Sequence, residues 1–366
     1  MKKGHIRNIA IIAHVDHGKT TLLNALMKQT GAFSTSREVE DRVMDSMDLE
    51  KERGITIAAK NTAIQFKGVK INIVDTPGHA DFGGEVERSL NMVDGAILLV
   101  DASEGPLPQT RFVLKKALEK DLPLIVVINK IDRPDARIPE VISETYDLFI
   151  DLGALERQIE FPIIYTNAKA GTGGKNPGDI AANLEPLLQA VIDTIPPPAG
   201  DDRANVQFLV TNLDYDSYVG QIAIGRLQAG RLEMNSLYTL CALDGLRAGV
   251  RFSALYTFSG LTKKTVRSAE AGDIIALAGV DGVKIGDTIS SADNPVALPR
   301  LVVDEPTVSM VFCVNDGPFA GRDGRYLTSR HLLERLEKEA LGNVAVRIKK
   351  LARTDAFEVC GRGELQ

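Results

Sequence analysis

The chain has 366 residues, 44% of them hydrophobic and 25% charged, with a formal net charge of −6. That length carries two or three domains with their own cores, and that composition is that of an ordinary globular protein, not of a disordered or membrane-spanning one. Three widely spaced cysteines, Cys241, Cys313 and Cys360, are too few for a disulfide framework or a four-cysteine zinc site and point to a reducing compartment.

At the N-terminus, MKKGHIR is followed by an apolar run, Ile9 to Ala13, that is too short for a signal core and is interrupted by His14. The longer apolar runs have strand length, so no membrane span and a cytoplasmic location are expected. Up to about Ile195, short β-rich runs alternate with helical periodicity, the pattern of a doubly wound α/β domain with a mostly parallel sheet. NIAIIA at Asn8, INIVD at Ile71, AILLVD at Ala96, LIVVIN at Leu124 and FPIIYT at Phe161 read as buried parallel strands. Helices are expected at Thr20 to Gln29, Gln109 to Glu119 and Leu184 to Thr194. IPPPAGDD, Ile195 to Asp202, is the clearest linker.

From Asn205 to Ser291, β-branched and apolar runs recur between glycines and turn dipeptides with no helical stretch, which predicts a small closed β-barrel. After a second boundary in Ser291 to Pro306 come VSMVFCV, a helix from Thr328 to Leu341 with a good N-cap in Thr328 or Ser329, and VAVRIKKL, the start of a split-βαβ, ferredoxin-like α+β domain. The domain expectation is therefore 1–198, 199–302 and 303–366. From Gly321 to Gln366 there are 10 Lys or Arg against 7 Asp or Glu, a local charge of +3 that leaves −9 for the rest. A basic last segment can meet phosphate backbones, and a solvated charged face explains it equally well.

Four short motifs carry chemistry. AHVDHGKTT, Ala13 to Thr21, can be read as a transition-metal cluster of His14, Asp16 and His17, but nothing further completes a coordination sphere. It reads better as a phosphate loop between a strand and a helix, with Lys19 on the β- and γ-phosphates and the Thr20 hydroxyl on Mg2+, although Ala13 stands where the template asks for glycine. RGITI, Arg53 to Ile57, offers the Thr56 hydroxyl to the same ion. In DTPGH, Asp75 at a strand end can hold magnesium through water, and the Gly78 N–H can reach a γ-phosphate. In NKID, the Asp132 carboxylate can accept from the N1 and N2 donors of guanine. Each alone is commonly a turn or a cap; four in this order, at strand ends and connecting loops, leave little room for chance.

AHVDHGKT, RGITI, DTPGH and NKID resemble the signatures of the translational GTPases, and the resemblance implies a P-loop GTPase that uses GTP/GDP and Mg2+. It implies that Asp16, His17, Gly18, Lys19, Thr20 and Thr21 wrap the phosphates, and that Thr20, Thr56 and Asp75 serve the metal ion. Asn129, Lys130, Ile131 and Asp132 would read guanine. His79 would orient the attacking water behind an apolar gate of Val15 and Ile55. Asn167-Ala168-Lys169 fits the family's last motif, with asparagine for its usual serine. The resemblance allows a monovalent cation at Asp16. An alanine opening the loop points to the factor-G-like branch. GPFAGRDGRYLTSRHLLERL, Gly317 to Leu336, and FEVCGRGEL narrow the likeness to the BipA (TypA) group, with the LepA group next. Large (50S) ribosomal subunit assembly, or translation under stress, is the role implied. Partners would be the 50S or 70S ribosome, through rRNA and tRNA, met by a monomer. The family continues beyond GRGEL, so a fragment lacking the C-terminal domains needed for full ribosome binding is expected. A nucleotide-gated regulator that needs no turnover is the alternative from another class.

Overall fold

A computed structural model describes residues 3–32, 50, 52, 56–216, 218–301, 305–322, 326, 328–343 and 345–363. Its first unit is an eight-stranded sheet. β1 (Ile6–Ala13) is buried along its whole length, as expected of an apolar run covered on both faces. It pairs in parallel with β3 (Val69–Asp75) on one side and β4 (Gly95–Asp101) on the other. Parallel pairing continues through β5 (Leu124–Asn129) to β6 (Ile163–Asn167). These are the five strands expected from sequence. Three further strands extend the sheet: β2 (Lys60–Phe66), antiparallel to β3, and the ladder of β7 (Thr172–Asn176) and β8 (Asp179–Ala181) beyond β6.

Alternation along each strand divides the core into two layers. Ile9, Ile11, Ile97, Leu99, Ile125 and Val127 face α1 (Lys19–Gln29) and the helix Glu185–Thr194. Their neighbours Ala10, Ile12, Leu98, Val100, Val126 and Ile128 face the opposite side, where α2 (Gly83–Leu90), α3 (Pro108–Glu119) and α4 (Ile138–Asp151) lie. The helix Glu185–Thr194 is α5. Each buried Leu, Ile or Val contributes about 1.5–3 kcal/mol. The strand order β2-β3-β1-β4-β5-β6 reverses direction at β1, which puts the loop after β1 at a topological switch point.

The second unit is antiparallel. It comprises β9 (Gln207–Asp216), β10 (Gly220–Ala229), β11 (Arg231–Glu233), β12 (Tyr238–Ala242) and β13 (Gly245–Val250). These are followed by β14 (Ala254–Ser259), β15 (Thr262–Thr265), β16 (Ser268–Glu270), β17 (Ile274–Ala278) and β18 (Thr288–Ser291). Eight of them form one sheet, β13-β12-β18-β9-β10-β17-β14-β15, wrapped around Phe208, Leu227, Leu240, Leu255, Ile275 and Ile289. The end strands share no ladder among the described residues, and β11 and β16 pair separately, so the barrel is not closed by a continuous hydrogen-bond girdle.

The third unit has β19 (Val308–Cys313), α6 (Ser329–Gly342), β20 (Arg347–Lys350) and β21 (Ala356–Gly361), with sheet order β19-β21-β20. Thr328 caps α6, its hydroxyl accepting from His331 N at 3.3 Å. No helix among the described residues is long and apolar enough to cross a membrane.

A polar cluster joins the first two units. Asp273, just before β17, accepts from Lys70 at 2.7 and 2.8 Å, from Asn72 at 3.0 Å and from Thr257 at 3.0 Å. Asn8 in β1 accepts from Asn72 at 2.8 Å and donates to Gly272 O at 2.8 Å and to Asp94 at 2.9 Å. Arg226 meets Asp94 at 2.8 Å. Removing the shared acceptor leaves the part-buried Lys70 ammonium with Thr257 Oγ1 and no counter-charge there, so Asp273→Ala should cost about 3 kcal/mol. Denaturant unfolding checks this: a single transition should split into two, the second unit losing its anchorage first, and an unaltered curve contradicts it.

Candidate functional site

The phosphate loop runs from His14 to Gly18, between β1 and α1. Two residues take left-handed backbone angles there, Asp16 with φ 63° and Gly18 with φ 95°. Ala13 does not; it is the last, buried residue of β1, so its position needs no glycine. A Cβ on Gly18 would stand 2.5 Å from Asn129 Nδ2, so both the angle and the close approach demand glycine there. Lys19 opens α1 and points back under the loop, with Nζ 3.0 Å from Asp75 Oδ1 and a hydrogen bond to Thr76 O. Thr20 is half-buried beside it and Thr21 is exposed.

Asp75, fully buried at the end of β3, has two carboxylate oxygens that receive no well-directed hydrogen bond. Burial pushes its carboxyl up and Lys19 pulls it down. A buried carboxylate short of well-directed donors, beside the lysine that opens α1, is the oxygen chemistry a hard divalent cation takes. These residues fit Mg2+. Thr56 is buried as well, and the segment leading from it is tied to Glu50, which accepts from Ile57 N at 3.0 Å and Ala58 N at 3.3 Å.

DTPGH packs on the loop directly. A Cβ at Gly78 would lie 2.6 Å from Ala13 O and 3.3 Å from Val15 N, so only glycine lets the two backbones meet. His79 is half-buried, its Nδ1 3.2 Å from the Asp81 N–H and 3.3 Å from Asp81 Oδ1. Val15 is half-buried. Its gate partner Ile55 lies outside the described residues.

NKID and the last motif interlock. Asn129 Nδ2 donates to His17 O at 2.9 Å, and Asn129 Oδ1 accepts from Thr166 Oγ1 and Ala168 N, both at 3.0 Å. Lys130 has φ 60°, and its Nζ meets Asp101 at 2.7 Å. Ile131 N donates to Thr166 O at 3.4 Å. Asp132 is exposed. Asn167 Oδ1 accepts from Ala170 N at 3.0 Å, closing the turn that carries Lys169. Gly18, Thr20, Asn129, Lys130, Asp132 and Lys169 line one cleft of about 910 Å³, well sized for a nucleotide.

The His14/His17 pair looks different in space. The His17 ring is buried beneath the loop with Nδ1 3.3 Å from Leu99 O and Nε2 3.6 Å from Glu104; burial pushes its imidazole down, toward the neutral form. Among the described residues no group of three His, Cys, Asp or Glu is placed to hold a metal ion together.

Asp101 escaped sequence reasoning, although its place at the end of AILLVD, like that of Asp75 in INIVD, was the available signal. Burial opposes its charge, but hydrogen bonds from Lys130 and from the Ser103 hydroxyl and N–H hold the carboxyl well below the usual carboxylate range. A carboxyl held low in the folded state stabilises above its unfolded value and stops doing so as pH falls through the folded one. Asp101→Asn should therefore lower stability at neutral pH by about 1–3 kcal/mol. The gap to the native chain should shrink below a pH of about 4, read by urea unfolding at several pH values. A gap independent of pH would contradict the pairing.

The switch-point loop, its buried lysine and the interlocked NKID cleft define a P-loop nucleotide-binding domain of the GTPase class. The chain belongs to the family described as the elongation factor Tu GTP binding domain, which matches residues 4–197. Residues 205–292 match elongation factor G domain 2. The chain is similar to the large ribosomal subunit assembly factor BipA of Salmonella typhimurium, 52% identical over 99% of this chain and 60% of that protein. Its likeness to BipA of Bacillus subtilis is 50% over 99% of this chain and 59% of the relative. The chain thus spans about three-fifths of the length of the curated relatives it matches. A crystal structure from Thermus thermophilus shares the fold, with a TM-score of 0.73 at 21% identity over 99% of this chain and 64% of that one.

Proposed function

We propose that this chain binds and hydrolyses GTP with Mg2+ and acts on the ribosome, in assembly of the large subunit. The Lys19–Asp75 pair supports the reading most: a buried carboxylate left without directed donors beneath a lysine at a helix N-terminus is shaped for a phosphate and its counter-ion. The loop N–H groups of Asp16 to Thr21 wrap the phosphates, and Lys19 neutralises the β- and γ-oxygens. Thr20 and Thr56 offer hydroxyls to the ion, with Asp75 beneath them. An ion held there would supply charge neutralisation to the phosphates. Gly78 donates its N–H to the γ-phosphate. His79 orients the water for in-line attack, with Val15 and Ile55 as its gate. Asp132 accepts from guanine N1 and N2, and the strut of Asn129 keeps Lys130, Ile131 and the Asn167–Lys169 turn at the base. A monovalent cation beside Asp16 belongs to the same reading. So do a cytoplasmic monomer and contacts with rRNA and tRNA on 50S or 70S particles, the natural partners of a relative of BipA, a large ribosomal subunit assembly factor.

Equilibrium nucleotide binding and turnover with and without ribosomes test this. Lys19→Ala should weaken GTP binding at least about a hundredfold, because a buried charge loses its partner. Asp132→Asn should move preference toward xanthine nucleotides. His79→Ala should retain GTP affinity while losing ribosome-stimulated hydrolysis; stimulation equal to the native chain's would overturn the role given to His79.

A further inference from the structure

The third unit touches the first beside His79. The turn Gly361–Gly363 that follows β21 is pinned to its own sheet, Thr307 N donating to Gly361 O at 3.0 Å and Thr307 Oγ1 to Arg362 O at 3.1 Å. From this turn Arg362 reaches α2, where Nη2 lies 3.4 Å from Glu87 Oε2, both side chains 7% exposed. Glu87 is also met by Lys116 of α3 at 2.9 Å. Glycines make room for these side chains: a Cβ on Gly83 would collide with the Arg362 guanidinium, and a Cβ on Gly363 would collide with the carboxylate of Asp81. An ion pair this well sheltered, flanked by two glycines against which the neighbouring side chains lie close, is a fitted joint and not a glancing contact.

Asp81 is the residue that holds the His79 ring, and it has two ways to do so. Its backbone N–H lies 3.2 Å from Nδ1 and its carboxylate 3.3 Å from the same atom. If the N–H donates to a bare Nδ1, the ring proton sits on Nε2. If the carboxylate accepts from Nδ1–H, Nε2 is bare and able to accept a hydrogen bond from water. The partner of one imidazole nitrogen thereby sets the chemistry of the other. The position of the Asp81 carboxylate decides between the two, and Gly363 lies against that carboxylate.

We propose that the Gly361–Gly363 turn is a positioning element for His79, acting through Asp81, so that the seating of the third unit sets which tautomer the ring presents to the water. The proposal rests on the reading of His79 as the water-orienting residue. Gly363→Ala displaces the carboxylate; Arg362→Gln loosens the turn by removing its ion pair while keeping both glycines, and Arg362→Lys restores the charge. All are made in the full chain.

The direct readout is the 15N spectrum of the His79 ring, which reports the proton's location. Gly363→Ala and Arg362→Gln should both shift the Nδ1–H to Nε2–H ratio, with Arg362→Lys returning toward the native value. Single-turnover GTP hydrolysis should fall by about ten- to a hundredfold in the first two variants, as for a slightly misplaced reacting group. The dissociation constants of GTP and GDP should stay within about twofold, since the loop contacts are untouched. Asp81→Asn should give the same loss, and combining it with Gly363→Ala should add nothing further. An unchanged ring spectrum in folded Gly363→Ala and Arg362→Gln chains, or additive losses, overturns the proposal. A native chain without GTP turnover would instead remove the functional reading, and the ring spectrum would still decide whether the turn acts on His79.

Discussion

One buried amide group organises the nucleotide cleft. Asn129 spends its donor on the backbone of the phosphate loop and its acceptor on Thr166 and Ala168, so three loops from three strands share a single side chain. The amide is almost inaccessible to water, and leaving any of these groups unpaired there costs about 1–3 kcal/mol. The left-handed Gly18 follows from it: the loop comes so close to the amide that no Cβ fits. Phosphate and base regions therefore cannot shift independently.

Around that centre the molecule is built on charge as much as on oil. Apolar residues of the second unit, among them Ile222, Ile224 and Phe258, continue the core of the first, and the Asp273 cluster seals the same boundary with paired groups. Among the described residues the third unit is joined through Arg362 and through the seating of Lys338 over Tyr215 at 5.5 Å. Its sheet leaves Met310, Val311 and Phe312 exposed, unlike the sealed boundary between the other two units.

How much of this was legible follows from the physics of each piece. The five parallel strands read clearly because burial on both faces turns them into unbroken apolar runs. β2, KNTAIQF, opens on three polar residues and has only a short apolar stretch at its centre, so it carried no such signal. TGGKN in β7 has too little side chain to announce a strand, and GGEVERSL in α2 opens on two glycines that argue against a helix. The phosphate loop was readable because its glycine and lysine are demanded by local geometry. Asp101 and Glu50 were not, because their partners lie in loops whose folding back no residue pattern announces, and the Gly363–Asp81 contact was not, because it joins residues 282 positions apart. Asn129 was singled out for the base, and its use as a strut between loops could only be seen in three dimensions.

The grip of the second unit falls near the amino ends of the central strands, at Asn8, Lys70, Asn72 and Asp94, while the cleft lies at their carboxyl ends. From Asn8 to Ala13, strand β1 spans about 17 Å of stiff, fully buried backbone. The barrel is in this sense a handle bolted to the back of the sheet. Its outer surface can diversify toward new binding partners far from the phosphates, although one edge of the barrel also reaches the segment after Thr56, where Asn212 donates to Ala59 O at 3.5 Å; the third unit is seated directly against the helix after DTPGH.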